Sequence, residues 1–278
     1  MLLKDRFRNQ ALLSPIVLLL GAAYLLPLAG VLLTSLTEPA PGFGNYSRSL
    51  TSGSVHKVLI TTFRISIVTT VLSCAIGYGL AWALANYRGA FQRVIFFCVL
   101  VPLWTSLLIR TFAWLILLGG SGPVNGALLS LNLINSPIPL MRNEIGVVIG
   151  MVHYMIPYAV FTIYAGMVGL DNRVIMAARG LGASARYTFF RVYLPMTTPG
   201  LVAAMALVFI QSLGFYVTPA ILGGGRIVMI AEYISTQVVQ LANWGAGSAL
   251  AVVLLAAVVI TIALVGRLIG LKRMFPGV

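Results

Sequence analysis

Acidic side chains are nearly missing from this sequence: Asp and Glu together number 5 in 278 residues, at Asp5, Glu38, Glu144, Asp171 and Glu232. Charge of either sign is scarce, at 8% of residues against 60% hydrophobic, and the mean hydropathy is +1.01. A water-soluble fold of this length needs far more charge to cover its surface, so the composition points to an integral membrane protein. No acid lies deep in an apolar run, which removes the usual material of a proton relay or an anionic ion cage. Cysteine is limited to Cys74 and Cys98, both in apolar runs without CxxC or Cys/His spacing. Neither a metal site nor a disulfide is expected, and the thiols read as buried and inert. Missing too are G-x-x-x-x-G-K-[ST], HExxH and any paired acid within a span, so no nucleotide pocket and no catalytic centre is expected here.

What is present is a succession of apolar runs. A membrane-crossing helix needs about 20 such residues, and six runs qualify, at roughly 12–35, 58–86, 94–119, 146–168, 197–222 and 247–269. The first follows Lys4, Arg6 and Arg8 but lacks a small-residue cleavage site, so it is expected to be a retained span. The net charge of +13 sits in short clusters between the runs and reads as a topology signal, with no nucleic acid implied. Arg88, Arg93, the arginines of 169–196, Arg267, Lys272 and Arg273 share one side with the N-terminal cluster. Arg48, Lys57, Arg142 and Arg226, offset by Glu38, Glu144 and Glu232, share the other. That bias predicts both termini in the cytoplasm. The expected fold is an all-α membrane protein of six transmembrane helices in a single domain, 1–278.

Within the spans, Arg64 and Arg110 are expected to snorkel from the extracytoplasmic ends of their helices; the competing arrangement is a polar vestibule over a pathway. His153 reads as a helix-packing residue next to the kink that Pro157 imposes. Gly77 and Gly79 mark a face where helices approach closely. Asn125–Ile134 and Ile230–Leu241 are too short to span and are expected as amphipathic interfacial helices.

The stretch Asp171–Pro199 stands apart. Arg173, Arg179, Arg186 and Arg191 accompany a single acid, Asp171. Asp171 or Asn172 can cap a helix over Arg173–Leu181, and Gly182 permits a bend that a β-carbon would obstruct. Ser184 can cap a second helix, with Tyr187, Phe190 and Leu194 on one stripe, ended by Leu194-Pro195. Two short helices set at an angle form a knob suited to a partner's groove; an ordinary amphipathic connector is the plainer alternative.

Ala177-Ala178, then Gly182, then Val192, Leu194 and Pro195 resemble the EAA pattern of binding-protein-dependent ABC importer permeases: E-A-A, three residues, G, nine residues, I-x-L-P. Val101–Asn125, Gly146–Asn172, ARGLGAS and LPMTTPGL are similar to the spermidine/putrescine-type members. The resemblance implies the type I ABC importer permease fold, core spans over about 58–269, and a coupling segment 171–195 that docks on a cytoplasmic ATPase. It carries the coupling role onto Arg173, Met176, Ala177, Ala178, Arg179, Gly182, Ala183, Leu194 and Pro195. Met176 stands where the family has Glu, which removes that contact and leaves shape and apolar packing.

The implied assembly has a second, related permease chain, two ATPase subunits that bind ATP and Mg, and a periplasmic binding protein, all at a bacterial inner membrane. This chain itself would hold no cofactor and catalyse nothing. The cargo implied is a polyamine or a related amine or amino-acid derivative. Candidate path residues are Trp104, Arg110, Tyr154, Phe215 and Tyr216, whose aromatic faces can hold a cationic amine; aromatic packing is the other account of them. Arginines would repel a polyamine, so the acids come from the partner subunit, or the cargo is anionic or zwitterionic. An ion-coupled secondary transporter is the alternative from another class, and it would need intramembrane carboxylates or paired broken helices.

Overall fold

The computed structural model describes residues 2–269, with side chains described from Pro15 onward apart from Asn172, Leu268 and Ile269. Lys272 and Arg273, counted above in the C-terminal basic cluster, lie outside the described residues. In chain order the helices are α1 Leu2–Thr37, α2 Gly44–Thr51, α3 Gly53–Asn86, α4 Ala90–Trp104, α5 Leu107–Leu117, α6 Pro123–Ser130 and α7 Glu144–Val168. There follow α8 Asn172–Gly180, α9 Ala185–Thr188, a π-turn Phe189–Tyr193, α10 Leu194–Leu213, α11 Val217–Gly223, α12 Ile230–Ser235, a second π-turn Thr236–Gln240 and α13 Trp244–Ile269. No strand occurs among the described residues. The chain divides into two compact units, one of 1–56 with 234–255 and one of 57–233 with 256–278.

Among the described residues, five stretches are long and apolar enough to cross a membrane: Pro15–Thr37, Gly53–Asn86, Glu144–Val168, Ala185–Leu213 and Trp244–Arg267. The run expected over 94–119 becomes a sixth span if α4 and α5 are taken together, and that pair is bent by 105°. The cause is local. Pro102 cannot donate to the helix ladder. Past it, Thr105 turns extended and both its N–H and its hydroxyl fall back on the Pro102 carbonyl, at 3.3 and 2.9 Å. The run 197–222 is corrected at both ends. Its helix starts as early as Ala185, and it breaks at Gly214–Tyr216 before resuming as α11.

In the larger unit α7 is the central helix. Met155, Ala159, Val160, Ile163 and Met167 are buried along it, together with Cys74, Ala81 and Leu84 of α3, Val99 of α4 and Ala204 and Val208 of α10. An apolar helix on all sides is what a core position in a membrane bundle requires. Gly77 sets the α3–α7 approach: a β-carbon there would lie 2.9 Å from Ala159 Cβ and 3.3 Å from the Val160 backbone nitrogen. Gly79 meets nothing within 4 Å, so only one of the two glycines belongs to a packing face in this chain. Gly166 and Gly200 bring α7 and α10 together, a β-carbon on the first falling 3.1 Å from Cα of the second. Close crossings on small residues are the usual way membrane helices gain packing where lipid supplies no hydrophobic drive.

In the smaller unit Asn45 is buried, and its amide donates to Ser35 O at 3.0 Å and to Glu38 O at 2.6 Å, closing the turn after α1. Tyr46 and Ser35 share a hydroxyl hydrogen bond of 2.7 Å. In the larger unit the connection before α7 is pinned by Asn125. Its amide donates to Gly119 O (3.0 Å) and Ile138 O (3.1 Å), and its oxygen accepts from Ile138 N at 2.8 Å. The helix expected over 125–134 therefore runs from Pro123 only to Ser130 and is anchored on its buried asparagine. Cys74 is buried as expected, but Cys98 is exposed in the chain.

Candidate functional site: a capped helix pair and a broken span

The polar segment folds as two capped helices. Asp171 Oδ1 accepts from Arg173 N at 2.9 Å, satisfying one of the free N–H groups at the start of α8. At the other end Ala183 N donates to Ala178 O (3.1 Å) and Gly182 N to Arg179 O (3.0 Å). This is the Schellman arrangement, which needs a residue of positive φ after the last turn. Gly182 supplies it at φ +87°. The spacing from Ala178 to Gly182 is thus the spacing of a helix stop. Ser184 Oγ then accepts from Tyr187 N at 3.3 Å and starts α9.

Outward from this turn the surface presents large apolar side chains among exposed arginines. Leu181 is 89% exposed and Met176 62%, and Tyr187 and Phe190 are more than half exposed. Arg173, Ala177, Arg179 and Pro195 are exposed as well; Ala178, Ala183 and Leu194 are partly covered. The inward side of the second helix carries Thr188 and Tyr193, both buried, and Phe189, which meets Tyr78 edge-on at 6.3 Å. The Tyr78 hydroxyl in turn bonds Thr197 Oγ1 at 2.8 Å, tying the root of this helix to α3.

Leu194-Pro195 does not end the second helix, contrary to expectation. The chain passes through the π-turn into α10 as one stretch, Ala185–Leu213. In an α-helix the Pro195 ring would press on the Arg191 carbonyl. Here Leu194 N reaches back to Phe189 O, one residue further than an α-helical bond, and the widened turn accommodates the proline. The sequence left two readings of Leu-Pro open, because proline at the first turn of a helix and proline after its end look alike locally.

Of the path candidates, the structure brings Arg110, Tyr154 and Phe215 together. The Arg110 guanidinium carbon lies 4.9 Å over the Tyr154 ring, and that ring packs on Phe215 at 4.8 Å. The Tyr154 hydroxyl meets that of Tyr158 at 3.2 Å. Arg110 belongs to α5, beyond the 105° bend, and Phe215 lies in the break after α10. Thr111 and Thr218 hydroxyls are 3.4 Å apart, where α5 packs on α11. Trp104 is 75% exposed and Tyr216 45%, and neither makes a ring contact with the cluster among the described residues.

The two arginines part company. Arg64 forms an ion pair with Glu144 at the start of α7, its side chain 58% exposed. Arg110 folds onto Tyr154 with Nε and Nη1 shut off from solvent. His153 packs as expected, its Nδ1 accepting from Trp114 Nε1 at 3.1 Å. Proline and the Thr105-Ser106 pair were the sequence signals for the break.

Long apolar spans, one of them broken, together with an exposed capped helix pair, describe a multi-pass membrane protein. The chain belongs to the family of binding-protein-dependent transport system inner membrane components, whose sequence pattern matches residues 74–273. It is a permease subunit of an ABC importer, which sets aside the ion-coupled secondary transporter. Among its relatives, the spermidine/putrescine transport system permease protein PotB of Haemophilus influenzae is 32% identical over 196 residues, covering 70% of this chain and 68% of that protein. PotB of Escherichia coli K12 is 32% identical over 210 residues, covering 76% of each. A probable molybdenum ABC transporter permease of Haloferax volcanii is 29% identical over 86% of this chain and 80% of its own. In fold, a chain of a bacterial alginate ABC transporter in complex with its oligosaccharide-bound periplasmic protein superposes with a TM-score of 0.80 at 14% identity, covering 98% of this chain and 96% of that one.

Proposed function

We propose that the 171–195 segment is the coupling element on which a cytoplasmic ATPase docks, and that the importer carries a small amine, of the polyamine or amino-acid-derivative class, from a periplasmic binding protein. The observation that carries the coupling reading is the exposed apolar cap of the helix pair, Met176 and Leu181 foremost, held in shape by two caps and Gly182. Large apolar side chains presented on a short ordered knob suit burial in a partner's cleft. With Met176 in place of an acid, the docking is steric and apolar, and Arg173 and Arg179 supply any charge pairing. The knob continues without interruption into α10, and α10 crosses α7 at Gly166–Gly200. Movement of a docked ATPase pair would therefore pass to two spans together. The amine cargo is supported by the PotB relatives and by the aromatic floor of Tyr154 and Phe215. A second, related permease chain and two ATPase copies complete the assembly.

The test is Gly182→Val. An added β-carbon meets nothing within 4 Å, so the change acts through the positive φ alone, which costs an L residue about 1–2 kcal/mol. The variant is expected to insert normally while cargo-stimulated ATP hydrolysis and uptake fall together. Wild-type uptake in that variant would reject the coupling reading.

A further inference from the structure

Arg110 has no part in the docking reading, yet its position is costly. A guanidinium keeps its charge at any working pH, and a charge within a span is tolerated when something compensates it. Here Nη2 reaches Thr105 O at 3.3 Å, a carbonyl freed by the break, while Nε and Nη1 are closed off and find no acceptor. No ion pair reaches Arg110 among the described residues; Glu144 is held by Arg64, and Asp171 caps α8. What lies against the cation is the face of Tyr154, itself backed by Phe215. The cluster forms where the helix beyond the 105° bend meets the turn between α10 and α11. Irregular backbone persists at membrane depth where it is enclosed by protein or lines a passage, and interrupted helices mark cargo sites in other transporters.

We propose that Arg110 and Tyr154 form a cargo subsite for a zwitterion, an amine that also bears a carboxylate. The carboxylate takes the guanidinium N–H groups that lack an acceptor, a pairing for which the planar fork is shaped. The ammonium takes the aromatic face that the guanidinium covers in this state. Cargo and arginine thereby exchange one internal cation–π contact for a charge-paired one. A plain diamine can use the ring, but it sets positive charge against Arg110 and leaves its N–H groups unmet. The inference rests on the reading of this chain as part of an amine importer and narrows its cargo.

Putrescine and 4-aminobutyrate serve as probes, since they match in chain length and differ at one end. Uptake of each is measured in vesicles holding the whole importer, with both probes above the binding protein's own dissociation constants. Wild type is expected to carry 4-aminobutyrate, and Arg110→Gln to lower the ratio of 4-aminobutyrate to putrescine uptake by roughly tenfold or more. Arg110→Lys, which keeps the charge and loses the fork, is expected to fall between. The ratio does not depend on how much variant protein inserts. An unchanged ratio in Arg110→Gln, or a wild type that carries putrescine alone, overturns the subsite and leaves the amine importer standing. Carriage of neither probe overturns both.

Discussion

Asp171 and Ser184 are both where a reading of local sequence puts them, each accepting from a backbone N–H two or three residues on. Caps are legible because donor and acceptor belong to the same few residues. Arg110 and Cys98 are not, because their surroundings are set by the break in the third span and by which helix face is left uncovered. The two glycines of α3 make the same point and give a paired prediction. Gly77→Ala forces a β-carbon to 2.9 Å from Ala159 Cβ with the α7 backbone close behind, so it should destabilise the chain by about 1–3 kcal/mol. Gly79→Ala meets open space and removes a flexible residue from a helix, so it should stabilise by about 0.5–1 kcal/mol. Thermal unfolding of the two variants in detergent measures both; equal shifts would show that the crossing at Gly77 yields more easily than its geometry indicates.

At the scale of elements, hydrophobic run length located the crossings but not their shape. The third run is bent by 105° and the fifth begins with the second short helix of the polar segment. Apolarity is common to straight and broken spans, so length alone cannot tell them apart. The π-turn at Phe189–Tyr193 is the element that decides how the knob faces. Removing one residue from it would rotate everything before it by about 100° relative to α10. Phe190 is exposed and, among the described residues, makes a ring contact only with its neighbour Phe189, so deletion of Phe190 removes little packing. That deletion should leave insertion intact and abolish uptake, since Met176 and Leu181 would point elsewhere. A deletion variant with wild-type uptake would show that the facing of the knob is immaterial.

For the whole molecule, the scarcity of charge was already decisive for the membrane, and the family match over residues 74–273 places it in a binding-protein-dependent system. On the coupling reading proposed above, energy reaches the chain from outside it, through the surface that the helix pair presents. The purified chain alone is expected to show no ATP hydrolysis, with hydrolysis appearing when the ATPase subunit is added and rising further with cargo-loaded binding protein. An ATPase whose rate ignores the permease in reconstituted vesicles would contradict that. The sequence by itself determined the membrane class, the number of apolar crossings, the two caps and the A-x3-G helix stop, because each rests on composition or on neighbours along the chain. The tertiary structure alone decided where the third span breaks, that Pro195 lies within a continuous helix, and that Arg110 folds onto Tyr154 beside Phe215. Those outcomes depend on which helices meet, and side chains far apart in sequence have no local signal of their meeting.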